Sequence, residues 1–291
     1  MTGHYTVDGL YVDRALPSDA GKEAPSGRPP LLLVHGSGHG AWCWELWMER
    51  LPALGWEAHA LSLRNHPGSR TVPDAVYWNE TRVADYASDV ASVAARLGRP
   101  AVVIGHSMGG IVAQAFAAGM ESGSAAVENV AVENPPPSPA AMVLLTSVGP
   151  GALGPIREEP MPQDRPYRPD NETAAARYFH TASPEVVTRA LERLVGESPS
   201  VTNEYSLSPG IVIDPASVQC PTLVVTAEHD RTPVPRGDAI ARYYGGDWLH
   251  DEDNGHDVML EAGWEALMMR ILGWVEDKVG TGGASANQGG Q

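Results

Sequence analysis

The chain has 291 residues, of which 43% are hydrophobic, 19% charged and 7% aromatic. That length supports one large core or two small ones, with ~75% of the extended-chain surface buried on folding. Twenty Lys and Arg face 36 Asp and Glu, a formal net charge of −16, which argues against nucleic-acid partners and anionic membranes.

Cys43 and Cys220 are the chain's two cysteines, too few for a disulfide framework or a structural zinc site, and read as reduced core-filling side chains. The opening MTGHYTVDGLYVDR has neither the basic nor the apolar segment of a leader. No apolar run approaches the ~18 residues of a membrane span. The expected location is the cytoplasm.

In chain order, residues 3–16 predict two antiparallel strands around Asp8-Gly9, followed by a Pro-, Gly- and Ser-rich loop at 17–30. PLLLVH (30–35) is a strand buried on both faces. AWCWELWMERLPAL (41–54) has helical spacing that places Trp42, Trp44 and Trp47 partly in the core, with room for one to edge a pocket. EAHALSL (57–63) is strand-like. VADYASDVASVAARL (83–97) puts Val83, Tyr86, Ala87, Val90, Val93, Ala94 and Leu97 on one helical face. AVVIGH (101–106) is a buried strand running into the helical MGGIVAQAFAAGM (108–120). AMVLLTSV (141–148) and TLVVTA (222–227) are strands, and a helix ends near Val279. Strands and helices alternating at this spacing predict an α/β fold: a mainly parallel sheet with helices on both faces. Residues 149–217 interrupt the rhythm after the sixth strand, with helical stretches near 172–181 and 184–196. They read as a helical cap over the C-terminal edge of the sheet. The core is then 1–148 and 218–279, and 280–291 is expected to be a disordered tail.

The strongest chemical signal is GHSMGG (105–110). Ser107 stands between an apolar strand and an apolar helix, flanked by Gly105 and Gly109, as a nucleophile on a tight strand-to-helix turn requires. Serine needs a base, which a third group must orient. His256, in NGHDVMLE, lies ahead of the last helix. Asp230, in TLVVTAEHDRTPVP, stands just beyond a buried strand, with Asp214 and Glu228 as alternative acids. Ser107, Asp230 and His256 follow the chain order expected of this arrangement. The oxyanion donors are expected to be the backbone N–H groups of Met108 and of Ser37, in HGSGHGAWCW (35–44). His35 and His39 have i, i+4 spacing but lie on a glycine loop, so no metal site is expected. The acidic run Asp251-Glu252-Asp253 reads as a solvated loop; near His256 it would favour the imidazolium and an alkaline optimum.

GHSMGG, the HG-containing loop, the RNHPGS turn (64–69) and NGHD together resemble the α/β-hydrolase superfamily, over about residues 28–148 and 218–279. HGSGHGAWCW is similar to the loop of the methylesterase and hydroxynitrile-lyase branch, where HG-x-x-HG-A-W opens the first helix. The resemblance implies a Ser–His–Asp hydrolase without metal or organic cofactor, acting on small-molecule esters, lactones or cyanohydrins. Lyases of that branch carry a lysine directly after the catalytic histidine; Asp257 stands there instead, which disfavours cyanohydrin cleavage. The leading expectation is a carboxylesterase or lactonase. A ligand receptor and a thioesterase or acyl-transfer enzyme on the same fold are the alternatives. The candidates for substrate contact are His106, Tyr178, Phe179, Leu191 and Val258, while Arg157, Glu158, Glu159, Asp164, Arg165 and Arg168 are expected to face solvent. The sequence carries no signal for an oligomeric state.

Overall fold

The computed structural model describes residues 2–17, 27–120, 135–234 and 236–280. Residues 281–291 of the tail expected at 280–291, and part of the loop at 17–30, lie outside the described residues. Eight strands, β1 (Thr2–Val7), β2 (Leu10–Ala15), β3 (Leu31–Val34), β4 (Ala58–Leu61), β5 (Val102–His106), β6 (Ala141–Leu145), β7 (Thr222–Ala227) and β8 (Asp247–Asp251), form one sheet. Its order is β1-β2-β4-β3-β5-β6-β7-β8, antiparallel from β1 to β4 and parallel from β4 onward. The β1–β2 hairpin turns on Asp8 and Gly9, both left-handed at φ 50° and 74°. The mirror-image turn they form matches the twist of the strands.

Residues of the central strands are buried on both faces and alternate between two cores. Leu31, Leu33, Ile104, Val143 and Val225 meet α1 (Glu45–Arg50) and α9 (Trp264–Val279) on one side. Leu32, Val34, Val103, Leu144 and Val224 meet α3 (Val83–Leu97), α4 (Met108–Ala117) and α8 (Gly237–Tyr244) on the other. The seven-residue face predicted on α3 is the packed one, with Leu97 only half-buried. The helical spacing over 41–54 resolves into α1 between two 3₁₀ turns, Ala41–Trp44 and Leu51–Leu54. Pro52 in the second turn denies the helix a backbone donor. Trp42, Trp44 and Trp47 are all core. Of the cysteines, Cys43 is buried but Cys220 only half so, and both are free. Asp251 is buried at the end of β8 and accepts from Asn254, so the acidic run is not a solvated loop throughout. Among the described residues no helix is long and apolar enough to cross a membrane.

Between β6 and β7 lie α5 (Asn171–Tyr178), α6 (Pro184–Arg193) and α7 (Pro199–Ser206). Asp170, Ser183 and Ser198 each accept a backbone N–H at the helix start, satisfying donors the first turn leaves free. The two predicted helical stretches end earlier than their spacing suggests, and α7 was not among the predicted helices; neither was α2 (Asp74–Asn79).

A fully buried carboxylate fastens this insertion to the body. Glu197 Oε1 accepts from Tyr86 (2.6 Å), Tyr77 (3.2 Å) and the Ser198 N–H (2.8 Å). Its Oε2 accepts from His66 Nε2 and from the Gly38 N–H, each at 3.2 Å. Val195 N donates to Gly38 O at 2.9 Å. His66 Nδ1 faces Arg64 O at 2.9 Å, so both of its ring nitrogens meet acceptors, which suits an imidazolium. Burial works against charge on both partners. Yet the Glu197 charge and hydrogen bond, then the Arg64 carbonyl, lift His66 above its ordinary value, and His66 with Tyr86 holds Glu197 below the usual carboxylate range. Glu261, also fully buried, ties the other end: it accepts from Gly255 N, His180 N and Thr181 N.

A Cβ at Gly109 would stand 2.4 Å from His35 O, whereas Gly273, exposed in α9, has open space around it. Gly109→Ala should therefore fail to give a folded monomer, while Gly273→Ala should gain about 0.5–1 kcal/mol, both read by thermal melts. Glu197→Gln leaves the buried imidazolium without its counter-charge and should cost about 3–5 kcal/mol. The Glu197 contribution is full above its unfolded value of 4.5 and fades as pH falls through its depressed folded value. The His66 contribution is full below 6.5 and fades as pH rises through its raised folded value. Urea unfolding across pH should thus show the largest gap from wild type between these two limits.

Candidate active site

Ser107 joins β5 to α4 with φ 53° and ψ −118°, a conformation that costs a non-glycine residue about 1–3 kcal/mol. The surrounding ladder holds it there: Ser107 N donates to Leu145 O (2.9 Å), and Ser107 O accepts from Gly110 N (2.9 Å) and Val148 N (3.2 Å). A Cβ at Gly105 would lie 2.3 Å from Gly109 O, so the strand and helix can meet this closely only as glycines. Ser107 and His256 both line one cavity, with a volume of about 100 Å³.

His256 Nδ1 donates to Asp230 Oδ2 at 2.9 Å and lies 3.0 Å from Thr232 Oγ1. Asp230 Oδ1 accepts from the Thr232 N–H and hydroxyl at 2.8 and 2.7 Å. Burial alone would lower His256 and raise Asp230; the attraction between them wins on both sides, so His256 is raised and Asp230 lowered. Asp257 adds to the lift on His256. The carboxylates that face this histidine are therefore Asp230 and Asp257, and not the run at 251–253. The alternative acids stand elsewhere: Asp214 caps the 3₁₀ turn Pro215–Ser217, and Glu228 pairs with His250 at 3.1 Å.

The loop after β3 lies against the serine. A Cβ at Gly36 would meet His106 Nδ1 at 2.7 Å and Ser107 Cβ at 3.0 Å. Several groups of that loop are engaged: His35 Nδ1 donates to Gly36 O (2.8 Å), His39 Nδ1 to Ser37 O (2.8 Å), His39 N to Gly36 O (3.2 Å), and Gly38 is held at both ends by the insertion. Among the described residues, neither the Ser37 N–H nor the Met108 N–H has an acceptor within the chain. His39 Nε2 lies 3.1 Å from Asp257 Oδ2. The two residues are 218 positions apart in the chain, and folding brings them together.

Of the residues expected to contact substrate, His106 and Tyr178 line the cavity. Phe179, Leu191 and Val258 do not: Phe179 and Val258 are core residues and Leu191 packs against the same core. Arg157, expected to face solvent, is half-buried and lines the cavity with Arg177. Thr232, Glu197 and Glu261 escaped sequence reasoning: the two glutamates because most of their partners lie far off in the chain, and Thr232 because a threonine beside a turn aspartate carries no mark of the histidine it reaches. Among the described residues His106, His256 and Asp257 have side-chain ligand atoms within 4.8 Å of one another. They fit a metal ion poorly. His106 Nε2 donates to His256 O (3.1 Å), its Nδ1 faces Gly36, and Asp257 Oδ2 is taken by His39. Burial, with His256 beside it, pushes His106 down to about 3, so it is a neutral donor.

Comparison with known proteins gives the same architecture. A methylesterase from Arabidopsis superposes with a TM-score of 0.64 at 17% identity, covering 86% of this chain and 99% of that one. The N-acyl homoserine lactonase AidH superposes at 0.62 and 16% identity, covering 96% and 98%. Protein phosphatase methylesterase 1 of Rattus norvegicus is 34% identical over 86 residues, 29% of this chain. That match spans only 22% of the curated relative's length. The family model described as "Alpha/beta hydrolase family" matches residues 31–268, the whole span from β3 into α9. The chain belongs to the alpha/beta hydrolase family.

Proposed function

We propose that the protein is a serine hydrolase of small-molecule carboxylic esters or lactones, with Ser107 as nucleophile, His256 as base and Asp230 as its orienting acid. The observation that carries this reading is the pairing of a strained, cavity-facing Ser107 with a His256 whose Nδ1 is held at 2.9 Å by Asp230. That bond fixes the tautomer, leaving Nε2 as the basic nitrogen. Nε2 takes the Ser107 proton as Oγ attacks the acyl carbon. The Ser37 and Met108 N–H groups, free of other acceptors, receive the tetrahedral oxyanion. Collapse expels the alkoxide, which takes the proton back from His256. Water then repeats the sequence on the acyl-enzyme and releases the acid. The esterase and lactonase names of structural relatives favour the same chemistry, and half of the cavity-lining residues come from 149–217, in keeping with a substrate-selecting cap.

Ser107→Ala should abolish turnover of 4-nitrophenyl acetate without changing the melting temperature by more than a few degrees. Activity near wild type, or release that stalls at one equivalent in the wild type, would overturn the reading in favour of another nucleophile or a receptor. Asp230→Asn should slow kcat roughly 10⁴-fold through loss of the correct tautomer.

The pH profile supplies an independent check. His256 must be neutral to accept a proton, and its free-enzyme value is raised above 6.5. The kcat/KM of the wild type should therefore fall on the acid side with a midpoint above 6.5. In Asp230→Asn the midpoint should move down, because the charge that favours the imidazolium is gone.

A further inference from the structure

We infer that the preferred substrate is an ester carrying a second, anionic group, an oxyanion such as a carboxylate, bound by Arg157 and Arg177 at the mouth of the Ser107 cavity. The inference rests on the esterase reading and adds the charge of the substrate to it.

Acidic residues outnumber basic ones 36 to 20 in this chain, yet the cavity lining holds two arginines and no Asp or Glu. A net charge of −16 repels an anion at a distance; two guanidinium groups at the mouth reverse the sign locally, where a substrate must pass. Ten of the other sixteen arginines lie within 4.0 Å of a carboxylate, among them Arg64 with Asp89, Arg99 with Glu57 and Arg193 with Glu45. Arg177 has no such partner among the described residues, and Arg157 donates only through Nε, to the carbonyl of Glu159 at 3.3 Å. The terminal nitrogens of both forks are left for a ligand, and a planar fork suits an oxyanion in bidentate contact.

Their backbones are set for this. Ile156 N and Arg157 N both donate to Ser206 O, at 2.8 and 3.0 Å, pinning the segment to α7. Arg177 stands in the last turn of α5, next to Tyr178, whose ring lies 5.7 Å from that of His256. Across from it Arg231 donates to Ala176 O at 3.3 Å, adding positive charge on that side. The acids closest in sequence, Glu158, Glu159 and Glu172, are exposed and line no part of the cavity. An ester group at Ser107 thus shares its cavity with two guanidinium-bearing residues and no carboxylate.

The test compares monomethyl adipate with methyl adipamate, equal in shape and differing in one charge, by pH-stat at pH 7.5 and low salt. Methyl 5-phosphonopentanoate is the third substrate, to tell a carboxylate from a phosphoryl group. The wild type should favour one or both anionic esters over the amide by about 3- to 30-fold in kcat/KM, as expected of one half-buried and one exposed charge contact. The ratio should fall with added salt, and approach one in the Arg157→Gln/Arg177→Gln double variant. A wild-type ratio of one or less, or a ratio that the double variant keeps, overturns the inference while leaving the esterase reading in place. Should none of the three esters turn over and a fluorophosphonate leave Ser107 unlabelled, the esterase reading itself fails. Calorimetric binding of adipamate to wild type and double variant then decides the anion subsite alone: equal or absent binding in both overturns it.

Discussion

A carboxylate removed from water must find all of its hydrogen-bond donors inside the protein, and Glu197 finds them on four separate stretches of chain. They are the loop after β3, the turn after β4, α2 and α3, reached through Gly38, His66, Tyr77 and Tyr86. Losing any of them leaves a charge stranded in low dielectric, so the stretches are held together as one unit. The loop that offers the Ser37 N–H is thereby positioned from the insertion as well as from the sheet. Glu261 does the corresponding work beside the histidine, joining Gly255 to His180 and Thr181. The loop after β3 and the segment around His256 both lean on the same inserted segment.

Buried histidines show how such partners decide charge. His35 and His66 lie with ring centroids 4.6 Å apart, yet they are shifted in opposite directions. His35 donates through Nδ1 to Gly36 O and accepts at Nε2 from Leu63 N, which a neutral ring satisfies completely. Burial, and then the charge on His66, push it well below its ordinary value. His66 meets two acceptors and one is a carboxylate. Two chemically identical rings in van der Waals range therefore carry different charges because of one backbone amide and one glutamate.

How much of this was legible in the sequence depends on the range of the interaction. The apolar runs of β3, β5, β6 and β7 and the period of α3 are local properties, and the structure forms them close to where they were read. Ser107 was visible for the same reason, since strand, glycines and helix sit within a dozen residues. The short elements α2, α7, α8 and β8 carry too few periodic positions to stand out, and DWLHD in β8 is mostly polar. Phe179, Leu191 and Val258 show a subtler limit: an apolar side chain suits a pocket wall and a core equally, and periodicity does not say which buried surface it joins. Glu197 and Gly38 are 159 residues apart, and neither carries a local mark of the other.

The insertion is unevenly fastened. At 178–181 and 195–198 it is bound through buried carboxylates and backbone pairs, but between 154 and 168 Met161 is the one buried residue, tied to Asn203 by two hydrogen bonds. Substitutions over 154–168 therefore displace little buried surface. The tolerant stretch contributes Ile156, Arg157, Met161 and Tyr167 to the cavity. On the proposed reading of the cavity, changes at Ile156, Arg157, Met161 or Tyr167 would alter what it admits at little cost to the packed core.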